Sequence, residues 1–503
     1  MNKILDFDKL VELVDRQRSE GRRAVLCHGV FDLLHIGHIR YLRRAREFGD
    51  FLVVTLTPDR WVDKGPGRPV FTEALRAEAL ASLGVVDYVA INQWPTAENT
   101  LRRLRPAFYA KGAEFKGLED PTGKIALEAA AAAEAGSELV FVEDIVYSSS
   151  TLINRHLDVY PEELAQYLEL LRQRYRLEDV MTVIDRMRDL KVLIVGDAII
   201  DQYAYCQPLG LSSKDPTMTL RQISRESFPG GAVAVARHAS GLSGQVALFT
   251  SFGEKCPWRQ LAEECLPPHV ELLAEEVPDM PTVRKLRYLD SYSLAKLLEI
   301  YHLDDSPSPP ETIRARVDRL AAVAPDYDLV LAADFGHGFI TPEMIEVLTQ
   351  KSAFLAVNTQ ANAGNRGYHT ILRYPKADFI SLARHEISLA FQNRQAPVLE
   401  LMSNLFQKID TKTILVTCGA DGLKALTAND YVQTPALAAK VVDRVGAGDA
   451  LFVATALAAY LKCPLELLGL IGNIAGARLV ENVGNNTAIN ASGLKKALTA
   501  MLK

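Results

Sequence analysis

The chain has 503 residues, and at roughly 100–200 residues per domain that length asks for about three domains or two large ones. Hydrophobic residues make up 48% and charged residues 23%, a mix that excludes a largely disordered chain. Lys+Arg 56 against Asp+Glu 62 leaves a net charge of −6, so no global basic field gathers nucleic acid, and no nucleic-acid partner is expected.

No apolar run is long enough to span a bilayer, and the opening MNKILDFDKLVELVDRQRSEG reads as an amphipathic helix rather than a signal peptide. The six cysteines, Cys27, Cys206, Cys256, Cys265, Cys418 and Cys463, form no C-x-x-C pair and no Cys/His cluster. They read as reduced thiols of a cytoplasmic protein without a membrane partner.

Residues 23–31 form a β-branched, apolar run that predicts a buried first strand. A helical stretch, IGHIRYLRRAREFGD, and a second strand, FLVVTLTPD, complete a βαβ unit and imply a parallel sheet. The alternation continues with a helix near 73–83, a strand at VDYVAI, a helix near 97–104 and a strand at FYAKG. The Ala-rich ALEAAAAAEAG predicts a helix, and LVFVED a strand. From about Tyr160 to Leu190, leucines at helical spacing among many charges predict one or two connecting helices. A new series of strands opens at KVLIVGD and runs through VALFTSFG, YDLVLAADFG, FLAVNTQ, ADFISLA and TILVTCG, before a helical end from Asp449. The expected organisation is two α/β domains, residues 1–158 (Rossmann-like) and 190–503, joined by a helical linker at 159–189.

The segment HGVFDLLHIGHIRYL falls at the first strand-to-helix junction. Parallel sheets bind ligands at the carboxyl ends of their strands, and a helix start offers unpaired N–H groups and a positive dipole end. His35 and His38 flank Gly37, so both imidazoles can face one anion, with the glycine leaving room for a phosphate. Taken alone, the same spacing also fits two surface histidines at a helix start.

In company with KGPGRPV, VDYV, YAKGAEF and YSSST, in order over roughly 20–157, the segment resembles the H-x-G-H nucleotidyltransferase superfamily. That is the fold of cytidylyltransferases and of heptose-1-phosphate adenylyltransferase. The resemblance implies that His35 and His38 contact the nucleotide phosphates, with Gly29, Phe31 and Gly37 around them. It gives Lys64 and Arg68 the triphosphate or sugar phosphate, sets Lys111 near the acceptor, and makes Ser149, Ser150 and Thr151 the cap of a phosphate-holding helix. His28 stands where that pattern usually has Asn, and Glu114 where it has Asp.

DRVGAGDALFVATALAAYL sets a Gly-rich turn before an apolar helix. Gly446, Ala447 and Gly448 can aim successive N–H groups at a phosphoryl group, and Asp449 can take a proton from an attacking hydroxyl. An aspartate that merely caps a helix has the same sequence. With GDAIIDQY, PGGAVAVARHASGLSG, TVRKLRYL, AADFGHG, VTCGADG and GNIAGA, the region from about 190 to 495 resembles the ribokinase-like (phosphofructokinase-B) sugar kinases. The resemblance implies a sugar held by Asp201, Gly230 and Gly231, with Arg284 and Lys285 near its phosphate. It places Asn473 at the adenine, makes Asp449 the base, and lets Glu386 organise Mg²⁺ through water. Ala383 replaces the usual Asn three residues before that Glu, and Asn358-Thr359-Gln360 stands where a D-P-K-like turn is usual.

Together the halves resemble the bifunctional heptose-7-phosphate kinase/heptose-1-phosphate adenylyltransferase type, in reversed order. The resemblance implies a bifunctional enzyme of nucleotide-sugar synthesis that uses ATP, Mg²⁺ and sugar phosphates as a homo-oligomer, with an ADP-heptose-like product. The alternative is a nucleotidyltransferase for another sugar phosphate or a CDP-alcohol, whose kinase-like half binds sugar phosphate without catalysis.

Overall fold

The computed structural model describes residues 3–62, 69–113, 124–142, 160–254, 256–278, 280–304, 306–365, 367–437, 443–480 and 484–502. They fall into two units, Met1–Leu177 with Lys495–Lys503, and Glu178–Leu494. The charged leucine-rich stretch forms two helices, Glu162–Arg174 and Leu177–Arg186, and the division between the units falls at the start of the second.

In the first unit, five strands form a parallel sheet ordered β3-β2-β1-β4-β5. They are β1 (Ala24–Gly29), β2 (Phe51–Leu56), β3 (Tyr88–Ile91), β4 (Phe108–Gly112) and β5 (Glu138–Val142). Every residue of β2 is buried, as expected of a strand covered by helices on both faces. The Ala-rich segment is a helix, Lys124–Glu134. Strand order reverses at β1, between β2 and β4, so the crevice for a ligand opens at the carboxyl end of β1.

In the second unit, a nine-stranded sheet is ordered β10-β9-β6-β13-β14-β15-β16-β17-β18. β6 (Lys191–Gly196), β9 (Gln245–Gly253), β10 (Val270–Val277), β13 (Leu329–Asp334), β14 (Leu355–Thr359), β15 (Phe379–Ala383) and β16 (Thr413–Thr417) run parallel. β17 (Leu423–Thr427) and β18 (Tyr431–Thr434) turn back antiparallel. The helix Ala447–Tyr460 is apolar on all sides, with every residue from Asp449 to Ala458 buried, the pattern of a helix inside a core.

A separate sheet, ordered β12-β11-β7-β8, was not foreseen from sequence. It holds β7 (Ala198–Leu211), β8 (Met218–Gly230), β11 (Val283–Asp290) and β12 (Lys296–His302). β7 is buried along its first half and exposed along its last residues, so neither a continuous apolar run nor a clean alternation marks it. No described helix is long and apolar enough to cross a membrane.

Candidate active sites

In the first unit, β1 ends at Gly29 and the helix Ile36–Arg46 begins after His35, its N-cap. The Gly37 N–H donates to His35 Nδ1 at 3.1 Å. A ring nitrogen that accepts carries no proton, so the neutral His35 ring carries its proton on Nε2. Burial holds this imidazole below its ordinary pKa, consistent with a neutral donor. The His38 ring lies 4.0 Å from that of His35, and Phe31 packs against His38 edge-on at 5.5 Å. Phe31 has φ of 50°, an uncommon conformation for a bulky residue that marks a tightly determined turn.

Two residues outside the predicted set hold this loop. The Asp32 carboxylate is buried and accepts the Val70 N–H at 2.7 Å and the Phe71 N–H at 3.2 Å. It thereby holds the backbone at Val70 and Phe71; Lys64 and Arg68 lie outside the described residues. Arg76 is 1% exposed and donates to the carbonyls of Phe71 (3.0 Å), Thr57 (2.9 Å) and Val30, and to Asp59 at 2.5 Å. Its helix, Glu73–Ala81, reads as amphipathic, so in sequence Arg76 passes for a surface charge.

His28 Nδ1 lies 2.9 Å from Thr55 Oγ1 on β2. Lys111, near the end of β4, pairs with the buried Glu128 at 2.7 Å, and Glu128 also accepts the Tyr109 hydroxyl at 2.8 Å. Although burial favours the protonated form, Lys111, His28 and Tyr109 hold Glu128 below the ordinary carboxylate range. Glu114, Ser149, Ser150 and Thr151 lie outside the described residues.

The second unit gathers its chemistry where β6, β13, β14 and β15 end. Gly446 caps the helix Ala447–Tyr460 with φ of 81° and no side-chain bond, a left-handed conformation that favours glycine. A Cβ there would lie 1.7 Å from Asn485 Oδ1, so the Asn485 side chain would have to shift as well. Asp449 is buried and accepts the Gln360 side-chain N–H at 2.7 Å. The same Gln360 nitrogen lies 3.2 Å from Asn358 Oδ1, and Asn358 donates to the Ser381 carbonyl at 2.8 Å. Burial pushes Asp449 up to about 7, aided by the charge of Asp201 and opposed by Gln360 and Lys285. Glu386 is pushed up to about 7 by burial, and its two oxygens accept the N–H groups of Ala383 at 2.6 Å and Ala361 at 3.1 Å.

Asp201 on β7 pairs with Arg287 on β11 at 2.5 Å. A Cβ on Gly230 would sit 2.3 Å from Asp201 Oδ2, so that glycine lets the carboxylate lie against the backbone. Lys285 and Arg287, two residues apart and so on one face of β11, are both buried, and Lys285 lies opposite Asp201 in the register with β7. Arg284, one residue out of phase, places its guanidinium over Trp258 at 5.7 Å. Arg287 is thus a residue that sequence missed, and period-two counting along TVRKLRYL would have found it. Burial pulls the Lys285 ammonium below its usual pKa, against the pull of Asp201.

A pocket of about 50 Å³ beside these strands is lined by Asp197, Thr282, Ser308, Arg316 and His337 among others. Burial pushes His337 down to about 3, which keeps its ring neutral. Asn473 donates to the Pro435 carbonyl at 3.1 Å. Among the described residues no group of three His, Cys, Asp or Glu forms a metal cage.

Two family descriptions match the chain: Cytidylyltransferase-like over residues 26–155, and pfkB family carbohydrate kinase over residues 340–491. Over its N-terminal part the chain is similar to proteins named Bifunctional protein HldE. That of Geobacter sulfurreducens is 36% identical over 164 residues, 32% of each chain. That of Campylobacter curvus is 42% identical over 120 residues, 24% of this chain and 25% of the relative. The match thus spans about a third or less of these relatives' length. Phosphofructokinase-2 from Escherichia coli, solved in complex with potassium, matches 62% of this chain over 100% of its own, at 15% identity and a TM-score of 0.53. Ribokinase from Thermotoga maritima matches 62% over 99% of its own, at 19% identity and a TM-score of 0.50. The chain therefore carries an N-terminal cytidylyltransferase-like domain and a C-terminal pfkB kinase domain of ribokinase-like fold.

Proposed function

We propose that the chain is a two-headed enzyme of nucleotide-sugar synthesis. The observation that carries this reading is a pair of helix starts, each with an ionisable side chain at it: His35 beside His38 in one unit, Asp449 behind Gly446 in the other.

In the C-terminal head, a hydroxyl of a sugar or sugar phosphate attacks the γ-phosphate of ATP. Asp201, Arg287, Gly230 and Gly231 hold the sugar, and Lys285 meets its phosphate. Asp449 takes the hydroxyl proton while the amides of the Gly446–Gly448 turn receive the phosphoryl group. Asn473 lies toward the adenine. Mg²⁺ bound with ATP would neutralise the charge of its phosphates, and Glu386, held by the N–H groups of Ala361 and Ala383, would be the residue that organises it through water.

In the N-terminal head, an oxygen of a sugar 1-phosphate attacks the α-phosphate of a nucleoside triphosphate and pyrophosphate leaves. The His35 Nε2–H and His38 stabilise the charge that shifts onto the phosphates, with Lys64, Arg68 and the Ser149–Thr151 segment completing the site. Positioning and charge suffice for both steps, without a covalent enzyme intermediate. The product favoured is ADP-heptose-like. The enzyme is cytoplasmic, where its six free thiols remain reduced. It is a homo-oligomer, a reading supported by the exposed Leu211, Met218, Ile223 and Leu298 of the four-stranded sheet.

The test is to incubate the protein with a panel of sugar phosphates and each of ATP, CTP, UTP and GTP, following ADP and pyrophosphate separately. One sugar series should give ADP, and its 1-phosphate should give pyrophosphate with one nucleotide. A second reading rests on Ala383 and the Asn358–Gln360 turn: a kinase-like half that binds without catalysis. Calorimetric binding of a sugar phosphate with no ADP above a blank would establish that reading and remove the kinase.

A further inference from the structure

Asp443 opens the DRVGAGD segment three residues before Gly446. It is 6% exposed. Its Oδ1 accepts Lys296 Nζ at 2.7 Å and the Val445 N–H at 3.3 Å. Its Oδ2 accepts the Tyr203 hydroxyl at 2.9 Å and the Gly484 N–H at 3.1 Å. Four donors thus converge on two oxygens, an expensive arrangement to leave half-made in a buried place.

The donors have a pattern. Lys296 is on β12 and Tyr203 on β7, the two strands that flank β11 in the four-stranded sheet. Tyr203 stands two residues beyond Asp201, hence on the same face of β7. The Arg287 guanidinium, which pairs with Asp201, lies 5.5 Å from the centre of the Tyr203 ring. The opposite end of the connection is equally fixed, since Gly484 precedes the Asn485 whose Oδ1 closes the space over Gly446. One carboxylate therefore joins the strands that carry the sugar-holding residues to the turn that caps the kinase helix.

We propose that Asp443 is a positioning residue: through Lys296 and Tyr203 it ties the sugar-holding sheet to the Gly446 turn, so that the turn takes its phosphate-receiving shape only while β7 and β12 are in place. This rests on the kinase reading above for what the two ends bind. The physical content is a coupling between two sites through one two-ended element.

Lys296→Met and Lys296→Arg in the full-length chain test it, because Lys296 is 45% exposed along its side chain and its loss leaves Asp443 three other donors. Hydrogen exchange of peptides covering 443–452 in the free protein should be at least ten-fold faster in Lys296→Met and return to the wild-type rate in Lys296→Arg. With the sugar phosphate that yields ADP, kcat should fall about ten-fold while the sugar KM changes less than three-fold. Wild-type exchange at 443–452 in Lys296→Met overturns the proposal, as does a loss of protection spread evenly over the unit, which would mark a merely structural bond. If wild-type protein yields no ADP from any sugar phosphate, the kinase reading fails, and the exchange arm still decides the tie.

Discussion

The two helix starts solve one problem with different materials. In the first unit the cap is a side chain: His35 accepts the Gly37 N–H, and its ring lies 4.0 Å from that of His38. In the second the cap is a conformation: Gly446 at φ 81°, with no capping side chain, and a buried carboxylate set back at Asp449. A side-chain site can lose its chemistry and keep its fold. A backbone site is held by space, so its failures are failures of shape first.

The comparison breaks most directly at the histidines. His35→Ala or His38→Ala should lower pyrophosphate release by about 100–1000-fold and leave ADP formation intact; His38→Ala should preserve the melting profile, while His35→Ala also loses its helix cap and should melt slightly lower. A variant with near-normal nucleotidyl transfer removes the role assigned to these rings.

Asp449→Asn should cut ADP formation by roughly 100-fold or more and leave sugar binding measurable by calorimetry. Its effect on stability runs the other way. The folded-state value of Asp449, about 7, is above that of an unfolded aspartate, so its stabilisation is complete below about pH 4 and is lost as pH rises through 7. Asn removes that loss, and the variant should melt a few degrees above wild type at pH 8 with the gap closing toward pH 5, roughly the gain common when a strained functional group is removed. The same sign makes wild-type ADP formation rise with pH through about 7, since the base must be ionised.

Gln360→Leu sharpens the contrast within the second site. Gln360 holds the Asp449 carboxylate down in pKa, and a hydrogen bond to a charged group is worth about 1.5–3 kcal/mol. Its removal should move the midpoint of the pH–rate profile up by about one unit or more, and a profile that stays in place would show that Gln360 does not orient the base.

Gly446→Ala against Gly37→Ala compares the two materials by stability alone. Alanine at 446 meets a left-handed φ that costs about 1–2 kcal/mol and the Asn485 oxygen besides, so the second unit should melt roughly 5 °C lower. Gly37 lies in the first turn of an ordinary helix, and Gly37→Ala should hold or slightly raise the melting temperature while hindering phosphate approach. Equal melting shifts would erase the distinction.

Both turns were legible in the sequence because each needs particular residue types at adjacent positions, and neighbours along the chain are what a sequence displays. The alternating α/β architecture was legible for the same reason: buried parallel strands such as FLVVTL are continuous apolar runs. What stayed hidden depends on residues distant in sequence. Arg287 finds Asp201 eighty-six positions away, and Arg284 drew attention because TVRKLRYL was not read as an alternating strand. The β7–β8 hairpin was hidden because its burial changes along its length. Asp443 lay in plain view as part of a motif, but its partners Lys296 and Tyr203 come from strands that the sequence did not announce.

Arg76 carries a consequence for how the first unit is assembled. Its guanidinium bonds carbonyls that follow β1 (Val30), follow β2 (Thr57) and precede its own helix (Phe71), so none of these loops has its final partner until all three have met. Such distant contacts form late in folding relative to helices and neighbouring strands. During refolding, the far-ultraviolet helical signal should return before the capacity to release pyrophosphate, and an Arg76→Lys chain, lacking the planar fork, should regain the first without the second. Simultaneous recovery of both signals would show that the loops take shape without waiting for this side chain, whereas a lag would make one buried cation the closing event of an entire active site.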